Sequence, residues 1–169
     1  MSLAQHNQQK AWEVLEDIRI FERWRSVGAE PNLVGSLKTG LLVRHLDIDI
    51  HIYSSPINYA DSFHTMGALA AHPSMERIEF RNLLNTEEEC LEWHAWCRDS
   101  EERLWQLDLI QILKGSKYDG WFERIADHII SILTPETKDT IMRLKYETQD
   151  TGVLTGIEYC MAVLRDGVK

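Results

Sequence analysis

Leu33-Val34-Gly35-Ser36, the ten residues 37–46, then Asp47-Ile48-Asp49-Ile50: this stretch decides how the chain is read. Successive side chains of a strand point to opposite faces, so Asp47 and Asp49 share one face with Cα atoms about 6.5–7 Å apart. Two carboxylates that close repel each other unless a cation lies between them, and a hard divalent cation such as Mg²⁺ favours carboxylate oxygens. The Gly35-Ser36 turn just upstream offers backbone N–H groups and a hydroxyl to a phosphate chain. Together these residues describe a site for a metal and a phosphorylated ligand.

A small apolar residue, Gly-Ser, a spacer of about ten residues and Asp-apolar-Asp-apolar resembles the signature of the DNA polymerase β-type nucleotidyltransferase superfamily. Residues 35–40, Gly-Ser-Leu-Lys-Thr-Gly, also resemble that superfamily's opening loop. The match is close over 33–50 and reaches about residue 112 through a third carboxylate. The resemblance implies an α/β (α+β) fold, a mixed β-sheet flanked by helices with a carboxy-terminal helical cluster. It also implies Mg²⁺ (or Mn²⁺) held by the carboxylates, a nucleoside triphosphate donor, and transfer of a nucleoside monophosphate to a hydroxyl. Leu46 stands before Asp47 where the family often has Ser, which alters the local hydrogen bonding but not the metal ligands.

The third carboxylate is expected on a later strand, and 104–112, Leu-Trp-Gln-Leu-Asp-Leu-Ile-Gln-Ile, is the strongest candidate, apolar on both faces with Asp108 at its middle. Burying that Asp unpaired costs several kcal/mol, so it needs a metal, a cation or a proton. A capped or salt-bridged Asp would satisfy that need, but the resemblance implies that Asp108 joins Asp47 and Asp49 as catalytic residue and metal ligand, with Glu79 and Glu92 as fallback candidates. The resemblance gives Asp108 the part of proton acceptor or metal ligand, and Gly35 and Ser36 the triphosphate. Lys38, in the loop after Ser36, is a third nucleotide-binding candidate. His51 continues the Asp47–Asp49 face, and Lys114 and Lys117 follow the Asp108 strand.

Composition narrows the partners. The net charge of −9, with no basic run, argues against a phosphate-backbone track, so a small-molecule or protein acceptor is expected and nucleic acid is not. No apolar run approaches the roughly 20 residues that span a membrane. The polar, Gln-rich amino terminus predicts no signal peptide, and the expected location is cytoplasmic. Cys90, Cys97 and Cys160 lack C-x-x-C spacing, which predicts reduced core thiols rather than disulfides or zinc. Oligomeric state is not legible.

Other chemistries fit less well. A P-loop is excluded, because Gly35 to Gly40 has the glycine spacing but Leu41 stands where Lys is required. Metal-binding Asp-x-Asp motifs of glycosyltransferases do not need the Gly-Ser turn. Two further alternatives remain: an antitoxin-like, nucleotide- or partner-binding version of the fold with weak or no turnover, and an Asp pair that simply faces solvent.

Hydrophobic periodicity predicts a helix over 4–25 with Trp12 inward, a short strand over 32–36, and a helix or loop over 37–44. A strand over 47–53, a helix over 58–72 with Ala60, Phe63, Met66, Leu69 and Ala70 inward, and strands over 75–81, 90–98 and 104–113 follow. Helices over 120–133, 135–149 and 152–165 complete the chain. Residues 1–114 read as the core and 115–169 as a helical segment packed on the same domain. Most of the six tryptophans read as core.

Overall fold

The computed structural model describes residues 2–148 and 155–168. The first expected helix is two: α1 (Leu3–Ile18) ends at Arg19, which takes a left-handed conformation (φ 52°), and α2 (Ile20–Ser26) restarts from it. In one continuous helix Ile18 and Ile20 would point about 200° apart. The break lets both enter one core, with Ala11, Val14 and Leu15 from α1 and Trp24 from α2. Arg23 Nε donates to the Ile18 carbonyl at 2.8 Å, covering an acceptor at the end of α1. Trp12, one residue off the buried stripe, is exposed.

Five strands, β1 (Glu30–Leu33), β2 (Asp47–Ser54), β3 (Met75–Asn82), β4 (Cys90–Arg98) and β5 (Leu104–Leu113), form one mixed sheet in the order β1-β2-β5-β4-β3. Only β2 and β5 pair in parallel. The strand expected over 32–36 starts two residues earlier and contains Pro31, tolerated because β1 is an edge strand and needs no N–H there. Gly35–Thr39 instead forms the short helix α3.

One sheet face is dry. Ile48, Ile50 and Ile52 of β2, Trp105, Leu107 and Leu109 of β5, and Trp93, Ala95 and Cys97 of β4 are buried in the main core with residues of α1, α2 and α4 (Tyr59–Ala70). Each fully buried Ile or Leu favours folding by about 1.5–3 kcal/mol relative to exposure. β5 is thus not apolar on both faces: it alternates, with Gln106, Asp108 and Ile110 on the other side. α4 buries Ser62, Thr65, Met66 and Leu69, while Ala60, Phe63 and Ala70 are exposed. Buried Gln111 explains the polar choice, since Ser62 Oγ donates to it and Gln111 donates to Ser54.

The opposite face is only partly covered. α5 (Trp121–Ile132) lies over its His51–Tyr53 end: Phe122 packs edge-on against His51 at 4.7 Å between centroids, and the Tyr53 hydroxyl donates to Glu123 at 2.7 Å. α5, α6 (Pro135–Glu147) and α7 (Gly156–Leu164) close a second core around Ile129, Ile141, Cys160 and Val163, which also takes in Leu41 from the α3–β2 connection. The ends expected at 149 and 152 for the last two helices lie outside the described residues. The three cysteines are free and buried, as their spacing predicts. Among the described residues, no helix is long and apolar enough to cross a membrane. Trp24, Trp93 and Trp105 are core, whereas Trp12 and Trp121 are exposed.

Candidate active site

Sheet register builds the site. The parallel β2–β5 pairing sets Asp49 opposite Asp108 and Asp47 opposite Gln106, and the antiparallel β4–β5 pairing sets His94 opposite Asp108. Paired residues on adjacent strands about 4.8 Å apart share a face. A transverse row Asp49–Asp108–His94 therefore crosses the open face beside a second row, Asp47–Gln106–Trp96. Sheet register thus sets Asp47, Asp49 and Asp108 side by side on the face that α5 only partly covers.

The Gly35-Ser36 turn sits at the end of this row. Val34 N–H donates to the Asp49 carbonyl at 3.0 Å, pinning the turn to β2. Gly35 is left-handed (φ 66°), and a Cβ there would collide with the Asp49 carboxylate, so Gly is required on two counts. Burial, reinforced by Asp47 and then Asp108, raises the Asp49 pKa to about 7, while Lys145 and the Ser36 backbone N–H pull it back. Asp49 thus lies against the turn and is largely withdrawn from water, while Asp47 is half-buried.

Lys145, missed in the sequence, is the buried cation of this site. From α6 its Nζ donates to Ser36 Oγ at 2.8 Å and to the Leu41 carbonyl at 2.9 Å. Burial lowers its pKa, opposed by the charges of Asp47 and Asp49. A signal existed: Lys145 falls four residues after buried Ile141, on the helix stripe where an apolar residue belongs. Lys38 points elsewhere, to Asp127 of α5 at 3.3 Å. Lys114 and Lys117 pair with Glu30 and Glu89.

Asp108 is held on one side. His94 Nδ1 and Gln106 Nε2 both donate to its Oδ1, at 2.5 and 2.7 Å. His94 Nε2 contacts Glu92, whose carboxylate also accepts from Arg81 at 2.9 Å. Burial disfavours charge on His94, yet its bonds to Glu92 and Asp108 outweigh that and raise its pKa. Glu92 thus grips the histidine instead of replacing Asp108, and Glu79 pairs with Arg77. His51 is buried with Nδ1 lacking a protein partner, and burial lowers its pKa to about 4.

Two cavities meet at Asp47. One, about 470 Å³, is lined by Gly35, Ser36, Asp47, Asp49, His51 and Lys145, with Thr155, Gly156 and Tyr159 closing it and Phe122 and Ile125 making an apolar wall. Its volume is in the range of small-molecule sites. The other, about 410 Å³, is lined by Arg44, His45, Asp47, Trp96, Gln106 and Asp108, among others. Asp49 borders only the first and Asp108 only the second. Among the described residues no three acidic, His or Cys side chains already form a metal cage. Asp49 rests on the turn, and Asp108 is drawn toward His94 and Gln106. The donor chemistry nevertheless suits a hard cation: three carboxylates on one face, one of them resisting ionisation beside the others.

Solved structures share this architecture. A poly(U) polymerase, Cid1, bound to MgATP superposes with a TM-score of 0.64 at 17% identity, over 94% of this chain and 50% of that one. A cytoplasmic RNA terminal U-transferase gives 0.62 at 16% identity, covering 97% and 50%. The GLD-2/RNP-8 complex gives 0.66 at 10% identity, covering 97% and 56%. The chain has the nucleotidyltransferase fold. It spans about half the length of these chains. No family model matches the sequence, and no curated protein matches it.

Proposed function

We propose that this chain binds a Mg²⁺- or Mn²⁺-bound nucleoside triphosphate and transfers the nucleoside monophosphate to an acceptor hydroxyl. The observation that carries this reading is Asp47, which with His45 borders both cavities, with Asp49 in one and Asp108 in the other. A donor pocket and an acceptor cleft joined at a metal ligand is the arrangement that in-line transfer needs. Structures of the poly(U) polymerase with MgATP, MgGTP and Mg 3′-dATP support the donor assignment.

In the donor pocket, Ser36 and Lys145 take the phosphate chain, the hydroxyl donating and the ammonium neutralising charge. Gly35 lets the backbone approach closely. We assign the phosphate-binding cation to Lys145 in place of Lys38. The nucleoside end lies along the Phe122–Ile125 wall. Asp47, Asp49 and Asp108 would hold the cation, which when bound screens the triphosphate and lowers the pKa of the acceptor hydroxyl. The acceptor oxygen forms a bond to the α-phosphorus, its proton passes to Asp108, and the bond from that phosphorus to the β-bridging oxygen breaks to release pyrophosphate.

The acceptor is best read as the 3′ end of an RNA. The net charge of −9 favours a small molecule or a protein, and the cleft sets Arg44 against Asp47 and Asp108, so the RNA reading rests on Trp96 and on the neighbouring structures. Arg77 lies 3.7 Å over the Trp96 ring, an arginine–aromatic stack of the kind on which unpaired bases settle. The neighbouring structures are named for poly(U) polymerase and RNA terminal U-transferase activities.

Thermal denaturation of wild type and Asp49→Asn with ATP, GTP, CTP and UTP, with and without Mg²⁺, tests the donor site. A nucleotide at 100 times its dissociation constant adds about 2.7 kcal/mol. A Mg²⁺-dependent gain in the wild type, absent in the variant, is expected. No gain with any nucleotide would overturn the reading in favour of a partner-binding version of the fold.

A further inference from the structure

Resting on that reading, we infer that His94 and Glu92 are positioning residues, which fix the Asp108 carboxylate so that only its Oδ2 faces the metal and the acceptor. The argument is geometric. His94 Nδ1 and Gln106 Nε2 converge on the same oxygen, Oδ1, from two strands. Two donors on one oxygen set the plane of the carboxylate and leave the other oxygen for chemistry. His94 cannot turn away, because Glu92 holds its Nε2 and Arg81 in turn holds Glu92.

The chain Arg81–Glu92–His94–Asp108 runs across β3, β4 and β5 on the open face. Glu92 is 8% exposed, so its carboxylate is withdrawn from water and spends its acceptor capacity on His94 and Arg81. A histidine gripped at both nitrogens by carboxylates is an orienting device, as in the carboxylate–histidine pairs behind metal ligands. Nothing about the fold demands His94: its neighbours in β4, Trp93 and Ala95, face the core, while His94 faces the site.

Isosteres separate the two contacts. Asn at position 94 carries its amide nitrogen where Nδ1 stands and keeps the Asp108 bond; Gln places its amide near Nε2 and keeps only the Glu92 bond. With Mg²⁺ and a nucleoside triphosphate, His94→Ala and His94→Gln should lose about 10–100-fold in kcat, with KM for the nucleotide within about two-fold of the wild type. His94→Asn should recover most of that loss, and Glu92→Gln should fall between. Counting bound Mn²⁺ by electron paramagnetic resonance with a non-hydrolysable nucleotide gives a readout free of turnover. The wild type should hold more Mn²⁺ than His94→Ala under the same conditions, while nucleotide still binds.

Equal kcat and equal Mn²⁺ count in His94→Ala and wild type would overturn the inference and leave the functional reading intact. So would His94→Asn failing as badly as His94→Gln. A wild type that binds no nucleotide would remove the functional reading itself, and this inference with it.

Discussion

Replacing Asp49 by Asn should stabilise the metal-free protein, and increasingly so as pH rises above about 4. The Asp49 carboxyl is raised from 3.8 to about 7 by burial and by Asp47 and Asp108. Below about pH 4 the folded and unfolded chains both carry the proton, and the group costs nothing. As pH rises the unfolded chain ionises first, so stability falls until the folded group has also ionised, above about pH 7. At 1.36 kcal/mol per pH unit, the full penalty is about 4 kcal/mol.

Asn keeps an oxygen for the Ser36 N–H, but Lys145 loses one of its two carboxylate neighbours. The net gain expected for Asp49→Asn near pH 8 is therefore about 2–4 kcal/mol. His51 works in the opposite direction. Its pKa, lowered to about 4 by burial, contributes stability that is complete above about pH 6.5 and lost as pH falls toward 4. In the wild type the two slopes nearly cancel between pH 4 and 6.5, which is why the difference between variant and wild type is the quantity to follow. Urea titrations in EDTA near pH 4.5, 6 and 8 should show that difference growing from about a quarter of its full value to the whole. A difference that does not change with pH, or a variant less stable than wild type at pH 8, would refute the electrostatic account of the site.

Three further outcomes follow from the same geometry. Gly35→Ala, which adds a left-handed residue and a Cβ aimed at Asp49, should lose at least about 1–2 kcal/mol in urea titrations together with its Mg²⁺–nucleotide stabilisation. Lys145→Met removes one charge-assisted bond to the phosphates, worth about 1.5–3 kcal/mol. Equilibrium binding of the nucleotide should weaken by about 10–100-fold accordingly. Trp96→Ala should raise KM for an RNA acceptor while leaving KM for the nucleotide unchanged in steady-state kinetics, since Trp96 borders the acceptor cleft alone.

How far the sequence carried the reading depends on which residues interact locally. Asp47, Asp49, Gly35 and Ser36 lie within one turn–strand unit, and their relation follows from strand periodicity and the turn. Asp108 was legible because an Asp within an apolar run is conspicuous. Its pairing with Asp49 required the parallel β2–β5 register, which no local pattern encodes. Lys145 reaches Ser36 across 109 positions of chain, so only a lysine on a helix's apolar stripe hinted at it. His94 gave no signal of its own: strand alternation puts its neighbour Cys97 in the core and His94 against Asp108, a pairing that needs the β4–β5 register. The same logic explains the errors in the helices: Arg19 breaks α1 because Ile18 and Ile20 both need the core, and α4 buries Ser62 because Gln111 needs a partner.

The most direct measurement is label transfer from nucleoside triphosphates carrying ³²P at the α-phosphate to a short RNA with a free 3′ hydroxyl, with Mg²⁺ and parallel detection of pyrophosphate. The wild type should extend the RNA with labelled nucleotide and release pyrophosphate in equal amount, and Asp108→Asn should bind nucleotide yet lose about 10²–10⁴-fold in rate. Wild-type protein that binds the Mg²⁺–nucleotide but moves no label, or an Asp108→Asn variant that transfers as fast as wild type, would contradict the account.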